Sequence, residues 1–169
     1  MPPFRVFLLA GLLAGATAQA ARAADAMSTA DRSFAAMVSQ GGMFEVQAGT
    51  AAASQGSTQV IKDQGNTEMH DHKLVGARLS SILSDAGVTE PDSLNATFQK
   101  ELDDLKALSG PGFDAAYLKD METVHAKDGA AFAAEARNGM NPKLRAFAAE
   151  THKIVESHIG ELHATAAAR

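Results

Sequence analysis

The 169-residue chain has no cysteine and no tryptophan, and it has only one tyrosine and five prolines. Without cysteine there is no disulfide framework, no thiolate metal site and no lipid anchor through an N-terminal cysteine. Any metal must therefore be held by His, Asp, Glu, Met or backbone. Aromatic residues amount to 5%, few for a β-sandwich core, and no stretch alternates β-branched and polar residues as strands do. Positive charge is also scarce: the formal net charge is −5. That balance leaves no basic surface to displace counterions and argues against a nucleic-acid partner.

Long apolar runs are missing too. The longest, Val6 to Ala16, follows a short segment bearing Arg5 and precedes two small-x-small sites at Ala18-Gln19-Ala20 and Ala21-Arg22-Ala23. It is too short for a comfortable membrane span and reads as a secretory signal over residues 1–23, cut after Ala20 or Ala23. The alternative is an uncleaved anchor. The expectation is a periplasmic protein without stable membrane insertion once the signal is removed.

What is present is helix-forming sequence with clear punctuation. Ser28 with Asp31 three residues on resembles a capping box, opening a helix to about Ser54. A second runs from about Thr58 to Ala86, stopped by Gly87 and Pro91. Asp92 or Ser93 is expected to cap a short third helix to about Leu108, ended by Ser109-Gly110-Pro111-Gly112. A fourth covers Phe113 to Asn138 with Gly139 at C′, and Asn141-Pro142 restarts a fifth to about Ala166. Four of these are about 25 residues long, roughly 38 Å at 1.5 Å per residue. Residues 28–166 thus describe an all-α, up-down four-helix bundle with one short extra helix in the middle connection.

The apolar stripes of these helices carry titratable groups. The first reads Phe34, Val38, Gly41, Glu45, Ala48, Ala52, and the second Ile61, Gly65, Glu68, His72, Val75, Leu79, Ile82. The fourth reads Leu118, Glu122, His125, Gly129, Phe132, Ala136, and the fifth Leu144, Ala148, Thr151, Val155, His158, Leu162. Burying one ionisable group costs several kcal/mol unless it is paired or neutralised. In antiparallel hairpins, positions equally far from the turn are level, and Glu45 with Glu68 and His125 with His158 each agree within about one turn. A metal ion is the simplest common partner for Glu45, Glu68, His72, Glu122, His125 and His158. The spacing Glu122-x-x-His125 is the i, i+3 arrangement of di-metal carboxylate bundles, while Glu68 and His72 are i, i+4. A bare pair of this kind arises often by chance; its weight here comes from the heptad phase. Asp71 can orient an imidazole, and His152 and His163 fall on the solvated side.

Several segments together resemble the bacterial ferritin-like family known as domain of unknown function 4142. They are Asp31-Arg32-Ser33-Phe34, Gln40 to Val46, Asp71-His72, Phe113 to Leu118, His125, and Leu144 to Thr151 leading to His158. The resemblance covers about Ala30 to Ala164 and implies a ferritin-like bundle in which Glu45, His72, His125 and His158 match the family pattern. It departs at Glu68 and Glu122, where the family pattern is apolar. It implies no established activity.

Three functions follow as expectations. The first is a periplasmic metal-binding protein for zinc or copper handling, with Fe²⁺ also compatible with the donors. The second is a di-iron or di-manganese oxidase or peroxide-consuming enzyme, which needs bridging carboxylates from Glu45, Glu68 and Glu122. The third is a metal-free structural or stress-protective bundle whose histidines form a hydrogen-bonded core. A homodimer is compatible with each.

Overall fold

A computed structural model describes residues 26–167; the expected signal segment, with its sites at Ala20 and Ala23, lies outside the described residues. Five helices follow one another: α1 Thr29–Gln55, α2 Gln59–Asp85, α3 Ala96–Lys106, α4 Gly110–Asn138 and α5 Pro142–Ala167. Among the described residues there is no strand, and no helix is long and apolar enough to cross a membrane.

Local chemistry sets the helix ends. Ser28 and Asp31 form the full capping box. The same Asp31 carboxylate accepts from the backbone N–H groups of Met140 and Asn141 at 2.9 and 3.2 Å, tying the α4–α5 turn to the start of α1. Burial raises the Asp31 carboxyl, but these backbone donors and Ser28 outweigh it and hold it below the usual range. At the end of α2, Gly87 takes φ +66° and bonds to Ser84 O, while Val88 bonds to Leu83 O. This is a Schellman ending, with Val88 packed on the core beside Leu83.

Two expected ends are corrected. The cap of α3 is Asn95, whose side-chain oxygen accepts from Thr97 N and Phe98 N at 3.0 Å each, rather than Asp92 or Ser93. Gln40 of α1 explains the shift: its amide donates to Ser93 O at 3.0 Å and accepts from Asn95 N at 2.7 Å, holding that segment outside the helix. Gly139 is the C-cap itself, with φ −57° and ψ 146°, and not a C′ residue. Its value is space, since a Cβ there would strike Glu135. Asn141 restarts the chain as expected, accepting from Leu144 N at 2.9 Å. The fourth helix opens at Gly110, with Pro111 in a first turn that needs no N–H donor.

The helices form two hairpins, α1–α2 and α4–α5, with α1 packed on α4 and α2 on α5. Asp114 near the start of α4 accepts from Ser57 N at 2.9 Å, in the α1–α2 turn. The other end of α4 meets the start of α1 through Asp31. The connection carrying α3 therefore runs the length of the bundle, and α2 and α4 point the same way. Two apolar clusters fill the interior. One contains Phe44, Ile61, Leu102, Phe113, Tyr117 and Leu162; the other contains Phe34, Leu79, Phe132, Leu144, Phe147 and Val155. Each fully buried side chain of this size contributes about 1.5–3 kcal/mol. Positions 45, 68, 72, 125 and 158 fall between the two clusters in the stripes of their helices, making a polar layer that separates them.

Candidate metal centre

Four helices converge on this layer. Glu45 comes from α1, Glu68 and His72 from α2, His125 from α4 and His158 from α5, and none is more than 4% exposed. The three imidazole rings stand 5.3–5.4 Å apart, centre to centre. Glu68 Oε2 lies at their focus: His72 Nε2 is 3.3 Å away, His125 Nε2 3.2 Å and His158 Nδ1 3.1 Å. His125 Nε2 and His158 Nδ1 are themselves 3.3 Å apart. Donor atoms of Glu68, His72, His125 and His158 all lie within 4.8 Å of one another.

The opposite ring nitrogens are occupied. His125 Nδ1 lies 2.8 Å from the Met121 carbonyl, His72 Nδ1 2.9 Å from Glu45 Oε2, and His158 Nε2 3.0 Å from Asp71 Oδ2. Each outer partner favours a proton on its own side of the ring, so the proton that a metal would displace is the one on the inner nitrogen facing Glu68. Glu68 Oε2 and His72 Nε2 nevertheless have no aligned hydrogen-bond partner, and neither has either oxygen of Glu45. Buried polar atoms left this way are rare. A tetrahedron with bonds of about 2.0–2.1 Å has edges of about 3.3–3.4 Å, close to four of the six separations among these donors. Glu68 and the three histidines are thus close enough to hold a metal ion, and two of their inner atoms lack an aligned hydrogen bond.

The electrostatics point the same way. Burial opposes charge on His72, but Glu45 and Glu68 outweigh it and push the imidazole up to about 10. Burial is likewise overcome at His125 and His158, which Glu68 raises, with help from Glu45 and Asp71 respectively. Against their own burial, Glu45 is held low chiefly by His72, and Glu68 by all three histidines. Without a metal the cluster balances its carboxylates with imidazolium protons.

The expected ligands divide. Glu68, His72, His125 and His158 share one point. Glu45 stands behind His72 with its other oxygen 3.5 Å from His125 Nδ1, so it holds imidazoles instead of completing the donor set. Glu122 is corrected outright: its side chain is 61% exposed and lies 3.5 Å from His163 Nε2. The buried stripe of α4 passes through Met121, not Glu122, because three-then-four and four-then-three steps from Leu118 both reach His125. Asp128 was missed. It is buried, one turn after His125, and a Cβ on Gly41 would sit 2.5 Å from its Oδ2. Burial, then the negative charge of Glu45, push its carboxyl up to about 8, so it is a neutral acid at pH 7. Its position in the α4 stripe, next to Gly129, was the available signal.

A four-helix bundle with a buried three-histidine, one-carboxylate cluster is the class of protein that these features define. The chain belongs to the family described as Domain of unknown function (DUF4142), whose profile matches residues 16–165. No curated protein matches it. Among solved structures it is similar to the crystal structure of a DUF305 fragment from Deinococcus radiodurans, with a TM-score of 0.72 over 82% of this chain and 96% of that one. At 10% identity the likeness concerns the fold alone.

Proposed function

We propose that this is an exported, periplasmic protein that holds one divalent transition-metal ion, zinc or copper, for storage, buffering or delivery. The observation that carries the reading is the set of four buried donors within 4.8 Å of one another, two of whose inner atoms have no aligned hydrogen-bond partner. Three imidazoles and one carboxylate suit zinc best and copper(II) next. Four protein donors fill a tetrahedron and leave no position for substrate, which favours holding a metal over turning one over. The di-metal oxidase reading loses its Glu122 ligand to the solvent side of α4. Export rests on the N-terminal sequence, and sequencing the mature N-terminus from a periplasmic fraction tests it.

Zinc titration calorimetry on chelator-treated protein tests the metal reading. In buffers of different ionisation enthalpy, binding should be one to one and should release protons at pH 7. No uptake would leave the metal-free bundle as the better reading.

A further inference from the structure

Helices α1 and α2 touch at one level and part at another. A Cβ on Gly49 would lie 2.7 Å from the Gly65 carbonyl oxygen, and one on Gly65 2.6 Å from that of Gly49, so the backbones are in contact there. About two turns earlier on α1 and three turns later on α2, Gly42 and Gly76 have nothing within 4 Å of a Cβ position. A cavity of about 410 Å³, open to solvent, lies between them. Val46, Val75 and Leu79 wall it, and His72 forms part of its inner surface. Glu90 and Asp92, from the connection between α2 and α3, line it together with Lys73, leaving one net negative charge, and the Ser39 hydroxyl donates to Glu90 Oε1 at 3.0 Å.

Glycine inside a helix weakens it relative to alanine. At Gly42 and Gly76 neither a positive φ nor a close neighbour requires one. What these two glycines supply is room beside a buried histidine. The donors themselves are sealed, with Glu68 and His125 at 0% exposure, so an ion needs a way in.

We propose that this cavity is the route by which the metal ion enters and leaves, with Glu90 and Asp92 drawing the hydrated cation inward and His72 the ligand that meets it first. This rests on the reading of Glu68, His72, His125 and His158 as ligands. A route acts on rates and leaves the equilibrium alone. The competing way in runs past Asp71, whose side chain is 35% exposed beside His158.

Stopped-flow mixing of zinc with the metal-free full chain, and release to a chelator, tests the route. Gly42→Leu and Gly76→Leu fill the cavity, and Gly160→Leu on α5, where a Cβ also meets nothing, is the control. Both cavity variants should slow association and release together by about tenfold, with unchanged affinity and stoichiometry and a melting temperature no lower than wild type. The control should keep wild-type rates. Glu90→Gln with Asp92→Asn should weaken the salt dependence of association. Wild-type rates in both cavity variants, with zinc still bound, would overturn the route alone and favour the Asp71 side. A wild-type chain that takes up no zinc would overturn the metal reading, and the route with it.

Discussion

Glu68 is the residue on which three imidazoles depend, and substitutions around it separate ligand from neighbour. Removing a ligand costs more than removing a group that orients one. Glu45→Gln should weaken zinc binding about 10–100-fold, Glu68→Ala should weaken it further, and Glu122→Gln should leave it unchanged; competition with a chromogenic chelator measures all three. Without metal, Glu68→Ala also leaves buried imidazoles lacking their counter-charge, so it should destabilise the protein by about 3–5 kcal/mol at neutral pH. A second buried acid has no such compensation. Burial, then the neighbouring Asp31 carboxylate, push Glu135 up to about 7. Its native pKa exceeds the unfolded one, so the native state holds the extra proton and loses stability as pH rises through that interval. Glu135→Gln should therefore stabilise the protein by about 1 kcal/mol at pH 8 and have little effect at pH 4, as denaturant titrations at the two pH values would show.

At the level of the helices, contact distances separate glycines that sequence alone treats alike. Gly49→Ala and Gly65→Ala force a methyl group onto the opposing backbone and should cost about 1–3 kcal/mol. Gly42→Ala meets nothing and should add roughly 0.5–1 kcal/mol through helix propensity; thermal melts rank the three. The number and order of helices were legible in the sequence because caps and restarts such as Ser28, Gly87 and Asn141 act within a few residues. The start of α3 was not, since Gln40, more than fifty residues away, holds Ser93 and Asn95 back from the helix. Phase was legible at His72, His125 and His158, whose stripes reach large apolar residues in both directions: Ile61 and Leu79 on α2, Leu118 and Phe132 on α4, Leu144 and Leu162 on α5. It failed at Glu122, where Met121 served the same stripe equally well and only packing could choose. Asp128 escaped notice because its partner, Gly41, lies on another helix.

For the whole molecule, the metal reading predicts that stability depends on pH differently with and without the ion. His72, Asp128 and Glu135 have native values of about 10, 8 and 7, all above their unfolded values. The metal-free native state therefore binds more protons than the unfolded chain and becomes less stable from pH 5.5 to 8.5. Glu45 and Glu68, held low, lose their contribution only on the acid side. Zinc needs neutral imidazoles, so the stabilisation it adds should grow over the same range. At a hundredfold excess over Kd the melting temperature should rise by roughly 5–11 °C. A metal-independent pH profile would contradict this balance.

The most direct measurement is X-ray absorption at the zinc edge of the one-to-one complex, made with wild type and with His125→Leu. The account predicts a four-coordinate shell of nitrogen and oxygen at about 2.0–2.1 Å, with the scattering signature of three imidazoles in wild type and a disrupted shell in the variant. A six-coordinate, water-rich shell, or one unchanged by the loss of His125, would mean that the ion sits elsewhere and that the histidines serve the fold alone.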